Sequence, residues 1–183
     1  MGENLMDAAL RCDLLANGAK ESSWMQLARL FFTSPDFKTV LHYRLYSRLC
    51  ARPGIKRILG RLLYAHAVHK SACHISPLAR AGEGLRLMHA TGIVIGTGVK
   101  IGTNVTIYQN VTLGQRREGG EYPEIGDGVI VYAGACVLGG IKIGRNAVIG
   151  ANAVVLDDVP ENATAAGAPA RVTGNIPAIK NAR

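Results

Sequence analysis

Two histidines, His74 and His89, stand fifteen residues apart in the C-terminal part of the chain and are its best candidates for acid–base chemistry. An imidazole is largely neutral near pH 7 and can therefore take a proton from a hydroxyl group. The other three histidines, His42, His66 and His69, lie closer to the N-terminus. Two histidines are too few for a three-histidine metal site in this part, and the four cysteines have no metal-binding spacing. We therefore predict no bound metal.

The part of the chain that contains His89 has a period of six residues. Neither an α-helix, with 3.6 residues per turn, nor an alternating strand has this period. A chain that runs straight, turns and runs straight again does have it, because each straight segment then points one aliphatic side chain inward. Glycine at the corners tolerates the unusual dihedral angles, and 18 of the 22 glycines follow residue 74. The aliphatic positions in phase are Ile95, Ile101, Ile107, Leu113, Ile125, Val131, Val137, Ile143, Ile149 and Val155.

His89 lies six residues before Ile95, where the repeat predicts an aliphatic side chain. A polar residue at an inward position needs an explanation. We interpret it as a sign of function at His89, against the alternative of a hydrogen-bonded structural histidine.

A polar run interrupts the repeat between Leu113 and Ile125. Residues 115–124, QRREGGEYPE, cannot continue the aliphatic column, yet the phase resumes after them. This is typical of a loop extruded from one corner of a solenoid, and such loops often bind ligands.

The first 74 residues have a different pattern and a strong positive charge. They carry 11 basic and 5 acidic side chains, and no acid lies between Asp36 and Glu83. Leucines and arginines at spacings of four residues predict helices, with a second apolar stripe from Ile55 to Leu63. The basic residues between 38 and 70 form either a solvated or subunit-contact face, or a surface for anionic partners such as a membrane. No nucleic-acid-binding motif accompanies them, so we expect no nucleic acid partner.

Several segments of the repeat resemble the hexapeptide-repeat acyltransferases, in particular the serine acetyltransferase branch and its polysaccharide O-acetyltransferase relatives. The resemblance rests on MHATGIVIG (88–96), VTLG (111–114), PEIGDGV (123–129), AGA (133–135) and DVPENATAAGAPARV (158–172). It implies a mainly β fold, a left-handed parallel β-helix that follows an α-helical segment. It also implies an O-acetyltransferase that uses acetyl-CoA and works as a homotrimer with active sites between subunits.

The same resemblance implies roles for individual residues. His89 matches the general base that takes the hydroxyl proton, and His74 matches the position of the residue that orients it. The small residues Gly114, Ala133, Ala151 and Ala166 match positions where the CoA arm approaches the backbone. Arg145 and Arg171 are candidate contacts to the CoA phosphates.

The chain departs from the serine acetyltransferase pattern around the acceptor. Met88 stands where the family has an aspartate, Glu121 and Tyr122 replace Arg-His in the extruded loop, and His74 replaces an aspartate. A zwitterionic acceptor would lose its counter-charges, whereas a sugar hydroxyl needs none. We therefore predict a saccharide acceptor, an exopolysaccharide or capsule precursor, with Met88, Glu121 and Tyr122 contacting it. The alternatives are a serine O-acetyltransferase of cysteine biosynthesis and a non-catalytic β-solenoid scaffold.

The predicted organisation has three parts. A basic α-helical segment covers 1–73, the β-helix covers 74–174 with its extruded loop at 115–124, and a tail covers 175–183. No signal peptide or apolar run long enough for a membrane span is evident. We therefore expect a cytoplasmic protein whose basic residues 38–70 can bring it to the inner face of the membrane.

Overall fold

Four helices precede the strands in the computed structural model, which describes residues 7–175. Side chains cap three of the helices: Asp7, Ser23 and Ser34 each accept a hydrogen bond from a backbone N–H of the first turn. Pro35 is the first residue of the third helix. Proline has no backbone N–H, but an N–H at this position would have no partner within the helix. The helices are α1 (Ala8–Ala16), α2 (Trp24–Thr33), α3 (Pro35–Cys50) and α4 (Ile55–Ser71).

The strands that follow are short and wind into a left-handed parallel β-helix of about five turns, as the resemblance implied. The first sheet contains β1 (His74–Ile75), β4 (Val94–Ile95), β7 (Thr112–Gly114), β10 (Cys136–Leu138) and β13 (Val154–Val155). The second contains β2 (Arg80–Ala81), β5 (Lys100–Ile101), β8 (Glu124–Ile125) and β11 (Lys142–Ile143). The third contains β3 (Arg86–Met88), β6 (Thr106–Tyr108), β9 (Ile130–Val131), β12 (Val148–Ile149), β14 (Ala163–Gly167) and β15 (Ala170–Asn175). Only β15 is antiparallel to its neighbour within the described residues, and the tail beyond Asn175 lies outside them.

The aliphatic column predicted from the period of six forms the core of the solenoid. All ten of its side chains are buried, and residues in equivalent positions stack from coil to coil, as Ile95 does on Leu113. Burying aliphatic surface is worth about 25 cal/mol per Å². The repeat therefore supplies both the shape of the coil and the main term of its stability.

The first coil has no coil beneath it, and α3 covers its open edge. The Tyr43 hydroxyl donates to the Ala79 carbonyl at 2.8 Å, and the Tyr46 hydroxyl donates to the Ile75 carbonyl at 2.6 Å. Burial raises the pKa of both phenols, so both hydroxyls keep the proton that they donate. These bonds satisfy buried carbonyls that the next coil would otherwise satisfy.

Arg44 completes this cap, although the spacing of the arginines predicted an exposed side chain. Its guanidinium donates to the Ala81 and Gly82 carbonyls and binds the Asp13 carboxylate at 2.8 and 3.1 Å. Asp13 is fully buried and also accepts the Leu85 N–H. Burial alone would lower the pKa of Arg44. The hydrogen bonds to Asp13 and the negative charge of Asp13 outweigh this effect, so the pKa of Arg44 is raised. The Arg44 guanidinium therefore stays charged in the interior.

The apolar stripe of α4 predicts that its large aliphatic side chains are buried. Helix α4 instead packs against α3 through a different face of the helix. Its buried residues are the small ones, Gly60 and Ala67, and a side chain on Gly60 would collide with Cys50. The large aliphatic residues point away from the molecule and are about half to two-thirds exposed; they are Ile55, Ile58, Leu59 and Leu62. No helix among the described residues is long and apolar enough to cross a membrane.

We expect Arg44→Met to lower the free energy of unfolding by about 3–5 kcal/mol, because it leaves the Asp13 carboxylate buried without a counter-charge. The matched control is Arg48→Met, one turn further along α3, where an exposed arginine pairs with the exposed Asp7. That change should cost at most about 1 kcal/mol. Urea unfolding of both variants measures the difference, and equal losses would contradict the assigned role of Arg44.

Candidate active site

His89 begins the turn that leads from β3 in the third sheet to β4 in the first sheet. This turn has five residues, 89–93, whereas the equivalent turn of the next coil has three, 109–111. Because of the two extra residues, the inward position belongs to Leu87, which is fully buried and aligned with Ile107. The prediction that His89 occupies an inward position is therefore wrong. His89 is exposed, with a left-handed backbone at a φ of +53°.

Asp36, in the first turn of α3, holds this turn in place. Its two carboxylate oxygens accept the backbone N–H groups of His89 at 3.1 Å and of Ala90 at 2.8 Å. Bonds from N–H groups to a carboxylate are stronger than neutral ones. They stabilise a conformation that a residue other than glycine seldom adopts. Helix α3 thereby fixes the backbone from which the His89 side chain extends.

His74 lies on β1, at the start of the coil that the His89 turn closes. Its N–H donates to the Ile93 carbonyl at 2.8 Å, and the Gly92 N–H donates to the Ala72 carbonyl at 3.2 Å. The His74 side chain is exposed, as is that of His89. The structure thus places both histidines beside the same corner of the first coil.

The corner that carries His89 continues up the solenoid as one edge, which we call the His89 edge. It consists of the turns 89–93, 109–111, 132–135 and 150–153. Backbone bonds link successive turns: Asn110 N–H to the Thr91 carbonyl at 2.9 Å, and Asn152 N–H to the Ala133 carbonyl at 2.9 Å. Ala133 and Ala151 therefore lie on the same edge as His89, about 10 and 15 Å above it at the usual spacing between strands.

Of the other small residues that the resemblance singled out, Ala166 lies at the upper end of this edge, whereas Gly114 lies at the opposite end of β7, where the extruded loop begins. Ala166 stands above Gly150, and a Cβ on that glycine would lie 3.0 Å from the Ala166 Cβ. Gly114, at the end of β7, is different, because a Cβ there would meet its nearest neighbour only at 3.9 Å. Packing within the chain thus does not require a glycine at position 114, and its surface stays open to a ligand.

The two candidate phosphate contacts lie apart from each other. Arg171 on β15 is exposed and pairs in register with Ala166, so it stands at the upper end of the His89 edge. Arg145 is also exposed, but it follows β11 at the corner between the second and third sheets. Within one chain, the structure brings Arg171 to the edge and leaves Arg145 at a different corner.

The extruded loop leaves the solenoid between β7 and β8, at the corner between the first and second sheets. The half-buried Tyr122 ring lies over Gly96 and Gly98, where any side chain would collide with it. Glu121 is exposed and lines a cavity of about 780 Å³ with Arg116 and Arg117. This corner is not the one that carries His89, so both loop residues lie away from His89 along their own chain.

Met88 ends β3 directly before His89 and is half-buried in register with Tyr108. Tyr108 stacks on Tyr132 in the coil above, with ring centroids 5.0 Å apart. Beside them, Gln109 has a buried side-chain oxygen that accepts no hydrogen bond from the described residues. Tyr108, Tyr132 and Gln109 were not predicted from the sequence. An aromatic residue in the same outward position of two successive coils was the available signal.

A cavity of about 670 Å³ opens beside the His89 turn, between the turn and helices α2, α3 and α4. Ala90 and Thr91 form one wall. Phe31 and Phe32 are aromatic members of the lining, and its basic members are Lys38, His42, His66 and Lys70. No acidic residue among the described ones lines it. Burial lowers the pKa of His42, and the neighbouring Lys38 and His66 lower it further. The cavity is therefore suited to an anionic group.

Among residues 7–175, no group of three or more His, Cys, Asp or Glu side chains is arranged to hold a metal ion. The chemistry available at the His89 turn is proton transfer by an exposed imidazole beside a positively charged cavity.

Comparisons with known proteins identify this arrangement. The family model "Bacterial transferase hexapeptide (six repeats)" matches residues 122–157, and curated proteins give no match. Soybean serine acetyltransferase is 38% identical, with a TM-score of 0.80 over 91% of this chain and 70% of that chain. A second soybean structure contains serine and has a TM-score of 0.79. A Brucella abortus serine acetyltransferase in complex with coenzyme A is 31% identical, with a TM-score of 0.77 over 93% of this chain and 68% of that chain.

These comparisons show that the expected saccharide acceptor, and with it a role in polysaccharide biosynthesis, is wrong, because the similar structures are serine acetyltransferases. The expectation rested on counter-charges missing at three positions of the sequence. The three positions are not the whole surroundings of His89, because Lys38 and Lys70 of the helices line a cavity beside the His89 turn. The loss of charge at the family positions thus does not leave the surroundings of His89 without cations.

We expect Asp36→Ala to release the turn, because the His89 and Ala90 amides lose their acceptors. Hydrogen exchange of these two amides, followed by NMR, should become at least tenfold faster. Asp127→Ala is a matched control, since Asp127 accepts the Thr103 N–H at 2.7 Å at another corner. It should release Thr103 alone, and unchanged exchange of His89 and Ala90 in the Asp36 variant would contradict the role of Asp36.

Proposed function

Since the chain belongs to the serine acetyltransferase branch of the hexapeptide-repeat acyltransferases, we propose that it acetylates the hydroxyl of L-serine. It is an O-acetyltransferase whose co-substrate is acetyl-CoA. The observation that carries the proposal is the exposed His89, whose backbone Asp36 of α3 fixes at one end of an edge lined by small residues. In this proposal His89 is the general base.

The reaction needs a base for the serine hydroxyl and a place for the thioester. His89 takes the hydroxyl proton as the serine oxygen attacks the thioester carbonyl carbon. The carbon–sulfur bond then breaks, and the leaving thiolate takes the proton back from the imidazolium. The products are O-acetylserine and CoA, so protons and charges balance without a metal. His74, at the same corner, orients the His89 imidazole.

The His89 edge supports the proposed position of acetyl-CoA. Ala133, Ala151 and Ala166 leave the backbone accessible above His89, and Arg171 at the upper end offers a positive charge to a phosphate. The unpartnered oxygen of Gln109 can accept an N–H from the amide-bearing arm of CoA. Gly114, at the end of β7, is a further candidate contact to CoA. Arg145, at the other corner, would reach CoA only from a neighbouring subunit.

The positively charged cavity beside the His89 turn supports a serine acceptor. Lys38 and Lys70 attract its carboxylate, and the Thr91 wall keeps it next to the base. Met88 borders the same turn and remains our candidate for a contact to the serine side chain. Glu121 is a candidate partner for the serine ammonium group, with Tyr122 anchoring the loop that carries it.

Glu121 and Tyr122 lie at a different corner from His89, which leads us to propose a homotrimer with active sites between subunits. In such a trimer the extruded loop of one subunit reaches the His89 edge of the next. Arg145 and the extruded loop both lie at corners away from the His89 edge of their own subunit, which supports a contribution to the site of a neighbouring subunit. We also propose a cytoplasmic location, supported by the four cysteines, which are all free.

The central test is acetyl transfer to L-serine, measured by release of the CoA thiol. We expect turnover with L-serine, and a loss of 10²–10⁴-fold in kcat for His89→Ala, the usual contribution of a general base. The control is His69→Ala, an exposed histidine of α4 outside the cavity lining, which should keep wild-type turnover. Thiol release with sugars but not with serine would contradict the acceptor, and near-normal turnover of His89→Ala would contradict the base.

His74→Ala tests the orienting role separately. We expect kcat to fall while KM for acetyl-CoA stays unchanged, because His74 acts on the imidazole and does not bind CoA. Steady-state kinetics at saturating serine measure both constants. A wild-type kcat would remove His74 from the mechanism and leave His89 as the only histidine involved.

A further inference from the structure

Four large aliphatic side chains form an exposed strip along α4, which we call the α4 strip: Ile55, Ile58, Leu59 and Leu62. Their spacing places them on one face of the helix. Their exposed fractions are 67%, 55%, 49% and 63%. The helix is already anchored on the opposite side, where Gly60 and Ala67 pack into the molecule. The strip therefore faces outward as a consequence of how α4 packs.

Exposed basic side chains border the α4 strip. Lys56 lies on one side of it and Arg61 on the other, and Arg57 lies farther round the helix beyond Arg61, at the angles that 3.6 residues per turn dictate. Arg52, just before the helix, is also exposed. The sequence has no acidic residue from position 37 to position 82 that could neutralise them. The surface thus combines a narrow apolar centre with a purely positive border.

We propose that the α4 strip and its basic border dock on a lipid surface that carries negative charge. The aliphatic side chains would enter the boundary between headgroups and acyl chains, and the lysine and arginines would contact anionic headgroups. Helices that lie in this boundary show the same division into an apolar face and a basic face. No described helix can cross a membrane, so α4 lies on the surface and does not span it.

Charge favours a lipid surface over a two-fold contact with a second copy of the chain as the occupant. A two-fold contact through the α4 strip would bring Lys56, Arg57 and Arg61 of one copy against the same residues of the other. Like charges in contact oppose association. An anionic lipid surface matches both the apolar centre and the positive border.

The test uses the full chain with two kinds of vesicle: phosphatidylcholine alone, and phosphatidylcholine with 30% phosphatidylglycerol. We expect wild-type protein to sediment with the anionic vesicles and not with the neutral ones. Two variants should each reduce binding at least tenfold: Ile58→Ser with Leu62→Ser, and Lys56→Glu with Arg57→Glu and Arg61→Glu. All five positions are exposed, and circular dichroism checks that both variants fold.

Matched controls distinguish binding through the α4 strip from nonspecific binding of vesicles to other exposed apolar or basic residues. Leu78→Ser removes a leucine of the first coil that is 64% exposed, and Arg80→Glu with Arg86→Glu and Lys142→Glu makes the same change of charge on the solenoid. Both controls should bind like the wild type. The proposal is overturned if wild-type protein ignores anionic vesicles or binds both kinds equally, or if the controls lose as much binding. It is also overturned if Ile58→Ser with Leu62→Ser lowers the mass of the protein in sedimentation equilibrium while vesicle binding stays unchanged.

Discussion

The first coil of a parallel β-helix has a neighbour above and none below, so its lower edge exposes backbone groups that must be satisfied by something else. In this chain α1 and α3 satisfy them. Tyr43, Tyr46 and Arg44 cover carbonyl groups, while Asp13 and Asp36 cover N–H groups. The bonds from Asp36 go to the turn that carries His89. Closing the solenoid and placing the proposed base are therefore parts of one set of hydrogen bonds, and the site lies at this end because the cap does.

The solenoid could be predicted from the sequence because the constraint on it is local and periodic. A coil repeats one inward position every six residues, and all ten aliphatic residues read from that period are buried. The helical segment has no such constraint. Arg44 is buried and Leu45 is half exposed, the reverse of what helical spacing alone predicts. Their environment depends on carbonyl groups more than thirty residues away, which no local pattern can show.

The sequence indicated which residues are candidates for the site, but not where the structure places them or what holds them there. His89 and His74 do lie beside one corner, but the argument that put His89 on an inward position failed, because the turn contains two residues more than the period allows. The insertion lies at the first coil, where no earlier repeat exists to reveal it. Asp36 was missed for a related reason: its partners are 53 and 54 residues away. The saccharide acceptor was inferred from the charges at three positions alone, whereas Lys38 and Lys70, on helices far away in sequence, also line a cavity beside the His89 turn.

The N-terminal position of the helical cap also has a consequence for synthesis. The ribosome delivers α1 to α4 before the first strand, so the side chains that cap the first coil emerge before the coil that they cap. The first coil can therefore pack on the helices as soon as it emerges, and each later coil of about eighteen residues can pack on the coil before it. A chain of the opposite order, with its cap last, would leave the lower edge open throughout translation and available to other chains. With the cap at the N-terminal side, the lower edge of the first coil can be covered during translation, and pairing of this edge with other chains is avoided.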